Sequence, residues 1–174
     1  MSAQTKKIAE LSVFTAVAFI FSYIESLFPL PIPFPGIKLG LANLIILIVL
    51  CRNGLGAAFG VSMTRNVLNA LTFGSLFGLF YSLAGSILSL FLMAVLLPKG
   101  DSKKGKAKKI PPLSLVSISA VGGILHNIGQ FFVAVILVGF SAILHYLPFL
   151  YFAGLIAGVL TGILAKLCLK RLRL

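Results

Sequence analysis

Polar residues recur at helical spacing inside two long apolar stretches of this sequence. Ser62, Arg65, Asn66 and Asn69 stand at positions i, i+3, i+4 and i+7, so they share one helical face. Polar side chains within a membrane span are costly and usually face the bundle interior, where they bind a ligand or another helix. A second polar face of this kind is formed by Ser119, Gly123, His126, Asn127 and Gln130.

A third polar patch lies near the end of the first apolar stretch and includes Glu25. We expect Glu25, together with Lys38 and Asn43 from the segment that follows, to join the two polar faces in one pocket. Arg65, with Lys38 or His126, would bind an anionic or hydrogen-bonding head group. The proline-rich segment 29–38 would cover the pocket, because its alternating prolines favour a stiff, extended loop.

Each of these residues also has a purely structural interpretation. Arg65 and Glu25 can form a structural ion pair. His126 can be a neutral residue that hydrogen-bonds between helices. The side-chain amides can also hydrogen-bond between helices, as they often do in membrane proteins. These amides are Asn66, Asn69, Asn127 and Gln130.

Composition indicates the kind of fold that must position these residues. Hydrophobic residues make up 59% of the 174 positions and charged residues 10%, whereas a soluble domain carries about 25% charged residues. We predict an all-α, polytopic integral membrane protein, folded as one six-helix transmembrane domain over residues 1–174. The predicted spans are approximately 8–28, 38–52, 55–73, 75–97, 113–139 and 146–169.

The charge distribution predicts the orientation of these spans. The sequence has 15 Lys and Arg against three carboxylates, with a formal net charge of +12. The positive charges cluster at span ends and in a basic loop, 98–112, as the positive-inside rule requires of cytoplasmic segments. We therefore expect a multi-pass cell-membrane protein with both termini in the cytoplasm, in contact with membrane lipids and not with nucleic acid.

The sequence lacks several signatures of catalysis. Its carboxylates, Glu10, Glu25 and Asp101, are too few and too scattered for a two-metal site or an Asp-rich diphosphate motif. No GxxxxGK[ST] loop is present, so the chain cannot hydrolyse ATP by that motif. We predict no catalytic residues, no metal site and no cofactor. On these residues the chain is not expected to be an enzyme.

A stripe of small residues lies near the start of the first span. Ala9, Ser12 and Ala16 stand at positions i, i+3 and i+7, a spacing that lets another helix approach closely. The stripe predicts either packing within the bundle or an interface with a partner's helix.

The motifs resemble a known family. The stretch Phe34-Pro-Gly-Ile-Lys-Leu-Gly-Leu-Ala-Asn43, followed by Arg52-Asn-Gly54 and Arg65-Asn66, is similar to the small membrane family described as "Gx transporter" and as "heptaprenyl diphosphate synthase component I". That family in turn resembles the substrate-binding S components of energy-coupling factor (ECF) transporters.

The resemblance implies six helices, cytoplasmic termini and a ligand-covering loop after the first helix. It also implies two kinds of partner, a transmembrane coupling subunit and two cytoplasmic ATPases. In S components an Ala-xxx-Ala motif on the first helix contacts the coupling subunit. Here Ser12-xxx-Ala16 fits that pattern, whereas Ala9 is followed four residues later by Val13.

Three functions are therefore open. The first is an S component of an ECF-type importer that captures a small anionic or amphipathic molecule, such as an isoprenoid or quinone precursor, from the external side. The second is an accessory membrane subunit of polyprenyl (heptaprenyl) diphosphate synthesis. The third is a self-sufficient small carrier.

Overall fold

The computed structural model describes residues 2–27, 40–97 and 112–171, and this part of the chain is helical. Lys38, the proline-rich segment 29–38 and nearly all of the basic loop 98–112 lie outside the described residues. Six helices are long, and one short helix, α6, precedes a 3-10 turn, Leu144–Tyr146. The helices are α1 (Ala3–Leu27), α2 (Leu41–Asn53), α3 (Leu55–Thr72), α4 (Leu76–Leu96), α5 (Pro112–Val138), α6 (Phe140–Ile143) and α7 (Leu147–Arg171).

The long helices match the predicted spans in order and number, but they differ in length. Four segments are long and apolar enough to cross a membrane: α1, α4, α5 and the segment Leu144–Arg171, which contains α7. Helix α2 begins at Leu41 rather than at the predicted residue 38, and its 13 residues extend only about 20 Å. That length is short of the roughly 30 Å of a bilayer's hydrocarbon core.

The six long helices form a closed ring in which each packs against two neighbours. Around the ring the order is α1, α3, α4, α5, α7 and α2, and α2 also contacts α3. The distribution of residue types is inside-out relative to a soluble protein. Ile136 and Leu71 are among many exposed apolar side chains, whereas Arg65 and Asn66 are buried. Such a distribution is the one that a lipid environment favours.

Helix α2 is buried on all sides. Every residue from Leu44 to Leu50 is buried, in contact with α1, α3 and α7. A helix that is hydrophobic around its whole circumference buries in this way when other helices surround it. Its seven consecutive core residues hold the start of α2 in place within the ring.

Glycines bring α5 and α7 into backbone contact. A methyl group added to Gly154 would lie 2.6 Å from the carbonyl oxygen of Gly123, and one added to Gly158 would lie 2.5 Å from that of Ser119. Larger residues here would push the helices apart. The pairing of Gly154 with Gly123 and of Gly158 with Ser119 also shows that α5 and α7 are antiparallel.

Basic residues lie together at one end of the bundle, here called the basic end. Glu10 near the start of α1 forms a 2.6 Å salt bridge with Arg52 at the end of α2. Consecutive long helices run in opposite directions, so the end of α7, with Lys170 and Arg171 in its last turn, lies there too. The opposite end of the bundle holds the end of α1, the start of α2 and the end of α3.

Candidate functional site

A polar cavity with a volume of about 70 Å³ lies inside the ring of helices. All six long helices contribute to its wall. Its volume is enough for a few water molecules or a compact ligand. From α1 to α4, including Gly40 just before α2, the cavity is lined by Ser22, Glu25, Gly40, Asn43, Leu47, Arg65, Asn69, Ser82, Ser89 and Met93. On α5 and α7 it is lined by Ser119, Gly122, Gly123, His126, Asn127, Gln130, Gly154, Ala157, Gly158 and Thr161.

Arg65 is the buried cation of this cavity, with 6% of its surface exposed. Its Nη2 donates a 2.7 Å hydrogen bond to Oδ1 of Asn66, and its Nη1 donates a longer, 3.4 Å bond to Oγ of Ser22. Its Nε is buried and has no hydrogen-bond partner within the described residues. A guanidinium group presents its donors in a fixed fork, so one edge of Arg65 remains unused.

Asn66 positions Arg65 rather than lining the cavity. Its Nδ2 donates to Oγ of Ser86 at 3.2 Å and to the carbonyl oxygen of Ser82 at 3.4 Å. Its Oδ1 meanwhile accepts from Arg65. The amide therefore connects α3 to α4 and holds the guanidinium group in one orientation. Of the two interpretations predicted for Asn66, its contacts are those of the interhelical one.

Two amide oxygens of cavity-lining residues have no hydrogen-bond partner among the described residues. Oδ1 of Asn69 and Oε1 of Gln130 are buried and make no hydrogen bond within the described chain. Nε2 of Gln130 lies 3.2 Å from Nε2 of His126, one turn earlier on α5. Unsatisfied buried polar atoms are rare in proteins, and they often mark sites that water or a ligand fills.

Asn127 lies at the cavity wall and also joins two helices. It lines the cavity, and its Nδ2 donates a 2.7 Å hydrogen bond to the carbonyl oxygen of Leu150, which connects α5 to α7. Its donor group is therefore occupied by helix packing. Thr161 makes a similar but weaker connection, since its Oγ1 donates to the carbonyl oxygen of Gly40 at 3.5 Å.

Glu25 does not pair directly with Arg65. Its Oε1 instead accepts a 2.8 Å hydrogen bond from the backbone N–H of Leu41, the first residue of α2. Within the described residues, the salt bridge present is the one between Glu10 and Arg52, remote from the cavity. Glu25 and Arg65 therefore form no direct salt bridge among the described residues, although both side chains line the same cavity. The predicted structural ion pair stays a prediction.

The structure brings together most of the predicted site residues. Lys38 lies outside the described residues, and Asn66 lies behind the cavity wall. The predicted residues that line the cavity are Glu25, Asn43, Arg65, Asn69, His126, Asn127 and Gln130.

The contributions of α4 and α7 to the cavity were missed. Ser82 and Ser89 on α4, and Thr161 with its neighbouring glycines on α7, line the cavity. The signal was present, because small residues facing a bundle interior leave space as well as allowing close contact.

The small-residue stripe of α1 lies on the surface. Ala9, Ser12 and Ala16 are exposed, and the hydroxyl of Ser12 donates back to the carbonyl oxygen of Ile8 within the same helix. The stripe is therefore not used for packing within the bundle, and it is accessible to another helix.

Comparison with known proteins defines the family. The model of the family described as heptaprenyl diphosphate synthase component I matches residues 14–168, which is most of the chain. The chain belongs to the heptaprenyl diphosphate synthase component I family. No curated protein is significantly similar in sequence.

The fold of this family member is that of a known transporter component. A solved structure described as the S component of a bacterial ECF transporter superposes with a TM-score of 0.73 and 24% sequence identity. The match covers 98% of this chain and 96% of the other. The predicted fold class is thus confirmed, as an all-α, multi-pass membrane protein with the architecture of an S component.

Proposed function

We propose that this family member is the substrate-binding membrane subunit of an ECF-type importer, which captures a small molecule carrying an anionic group. The observation that supports this most directly is the unused, buried edge of Arg65 in a polar cavity enclosed by all six long helices. A buried cation in a membrane protein usually lines a ligand or ion path. The fold match to a structure described as the S component of a bacterial ECF transporter supports a transport role for this chain.

The proposed orientation places the basic end in the cytoplasm, with both termini, in accordance with the positive-inside rule. Glu25, Asn43 and Asn69 then lie in the outer half of the bundle. Ligand would enter from the external side, near the end of α1 and the start of α2. The chain itself would be non-catalytic. ATP would be hydrolysed by two cytoplasmic ATPases, and a transmembrane coupling subunit would contact the exposed stripe of Ala9, Ser12 and Ala16.

The test is affinity purification of the tagged protein in mild detergent, with identification of co-purifying proteins by mass spectrometry. We expect a membrane coupling subunit together with paired ATPases. Liposomes that contain this chain alone should show no flux of the captured molecule. Flux through such liposomes would instead favour a self-sufficient carrier.

The family description favours a second candidate, an accessory membrane subunit of polyprenyl diphosphate synthesis. The chain has only three carboxylates, so it would present a lipid substrate to a soluble catalytic partner rather than bind diphosphate through Mg²⁺ itself. Recovery of a soluble prenyl synthase subunit without ATPases would support this candidate. An unchanged product profile when the chain is omitted from a reconstituted synthase would exclude it.

A further inference from the structure

Two cysteines lie near the basic end of the bundle, one on α2 and one on α7. Cys51 and Cys168 are both half-buried thiols, and the sequence contains no other cysteine. Both pack against the same hydrophobic core cluster. The two helices that carry them are in contact, and both run toward the basic end, so they are parallel neighbours. Neither thiol lines the cavity.

The register of α2 against α7 is defined at the start of α2. A methyl group added to Gly40 would lie 3.8 Å from Cβ of Ala157 and 3.2 Å from Oγ1 of Thr161. Oγ1 of Thr161 also donates to the carbonyl oxygen of Gly40 at 3.5 Å. The start of α2 is therefore seated against two residues that lie one turn apart on α7.

The same register continues to the two cysteines. Cys51 follows Gly40 by 11 residues, and Cys168 follows Ala157 by 11 residues. Eleven residues make about three turns and rise about 16 Å, so each cysteine returns to the facing side of its helix at the same height. Ala165, three residues before Cys168, is fully buried, as a residue enclosed by a neighbouring helix should be.

Facing positions on two packed helices are close enough for a disulfide. The axes of helices in contact are about 8–10 Å apart, and each Cα lies about 2.3 Å from its axis. At the wider spacing, facing Cα atoms are therefore separated by about 5 Å. A disulfide requires a Cα–Cα separation of roughly 4.4–6.8 Å.

We propose that Cys51 and Cys168 form a reversible disulfide that joins α2 to α7 at the basic end. The thiolate of one cysteine attacks a low-molecular-weight disulfide, displaces one of its thiols and forms a mixed disulfide. The thiolate of the other cysteine then attacks the protein sulfur and displaces the second thiol. The protein loses two electrons and two protons, and the oxidant is reduced to two thiols.

The charges around the pair favour an anionic oxidant. Arg52 follows Cys51, and Lys166 and Lys170 stand two residues before and two residues after Cys168. A positive field raises the local concentration of anions such as oxidised glutathione. In the proposed orientation the pair lies on the cytoplasmic side, where thiols are kept reduced. The disulfide would therefore form when that compartment becomes oxidising.

The disulfide would restrain one side of the cavity. Asn43 on α2 and Thr161 on α7 both line the cavity, so a crosslink between these helices limits their relative movement. It would also stabilise the protein, because a bond between Cys51 and Cys168 closes a long loop in the unfolded chain. The bond depends only on the packing of α2 and α7, and not on the importer function.

The test follows both thiols in the purified, full-length protein. The native protein in detergent is treated with oxidised glutathione and then with N-ethylmaleimide, and its intact mass is measured. We expect a monomer that carries neither a maleimide nor a glutathione adduct, and that unfolds at a higher SDS concentration than the reduced protein does. Two maleimide adducts, stable glutathione adducts or a disulfide-linked dimer would each overturn the proposal.

A matched variant tests the register. Leu167→Cys combined with Cys168→Ser moves the second thiol by one residue, which turns it about 100° around α7. Leu167 is 52% exposed, so a thiol there faces away from α2. We expect this variant to lose its thiols to a crosslink at least about tenfold more slowly than the native protein. Equal rates would show that the thiols meet without the register derived from Gly40 and Ala157, and would overturn the assignment.

Discussion

The carboxylate of Glu25 accepts a hydrogen bond from the backbone N–H of Leu41 at 2.8 Å. This contact joins the last turn of α1 to the first residue of α2. The first N–H groups of a helix have no partner within it, and Gly40, which precedes α2, has a left-handed backbone and no side chain to supply one. Glu25 therefore stabilises the start of a helix in addition to lining the cavity.

Removal of this contact should destabilise the protein. We expect Glu25→Ala to lower the free energy of unfolding by about 1–2 kcal/mol, because it leaves a part-buried N–H unsatisfied. Glu25→Gln should lose less, because its amide oxygen can still accept the bond. Unfolding by SDS titration of both variants measures the difference. Equal losses for Ala and Gln would show that the contact with Leu41 contributes little.

Arg65 should determine ligand retention. The small molecule released from the purified protein, quantified by mass spectrometry, should fall about tenfold or more in Arg65→Ala, since a hydrogen-bonded charge is lost. Arg65→Lys keeps the charge but not the planar fork, so it should retain only part of the binding. Arg52→Ala removes an arginine from the basic end and serves as the control. Normal retention in Arg65→Ala would exclude the assigned role.

Asn66 should affect both stability and binding. Asn66→Ala removes the hydrogen bond that Nη2 of Arg65 donates and the bonds to Ser82 and Ser86. We therefore expect the free energy of unfolding to fall by about 1–3 kcal/mol. Asn66→Asp should keep the contact with Arg65 but neutralise its charge, and ligand retention should therefore fall.

The matched control for Asn66 is Asn53→Ala. Asn53 is half-buried in the last turn of α2, and its Oδ1 has no partner among the described residues. In the same SDS titration, Asn53→Ala should lower the free energy of unfolding less than Asn66→Ala does. A similar cost at the two positions would mean that the network around Arg65 adds no stability.

Backbone contact between α5 and α7 makes Gly158 sensitive to a single methyl group. A methyl group there would lie 2.7 Å from Cα of Ala120, so we expect Gly158→Ala to cost about 1–3 kcal/mol through overpacking. Gly60 in α3 has no atom within 4 Å of the same position, and Gly60→Ala should be neutral or stabilising by up to about 1 kcal/mol. If the two variants had the same unfolding free energy, close packing of α5 and α7 would not be required.

The exposed stripe of α1 should control partner binding separately from ligand binding. Ala16→Leu enlarges the stripe, so we expect less coupling subunit to co-purify, with ligand retention unchanged. Val95→Leu is the control, because Val95 is also exposed but lies on α4. Blue-native electrophoresis and mass spectrometry compare the complexes. Normal recovery of the coupling subunit with Ala16→Leu would place the interface elsewhere.

The polar faces of α3 and α5 were predictable because their residue spacing alone places them on one side of a helix. Arg65 and Gln130 could therefore be assigned to the bundle interior before any packing was known. The direction of each side chain within the interior was not predictable. Asn66 follows Arg65 directly and shares its face. Asn66 nevertheless bonds to Ser86 on α4, whereas Arg65 lines the cavity. That difference depends on the position of α4.

The sequence by itself determined the membrane environment, the six helices and the clustering of basic residues, because hydropathy, periodicity and charge are local properties of the chain. Only the tertiary structure decided that Glu25 bonds to Leu41 rather than to Arg65, and that α4 and α7 complete the cavity. These relationships depend on how closely the helices approach and how each is rotated. Backbone contacts such as that between Gly123 and Gly154 set both quantities, and they join residues that are far apart in the chain.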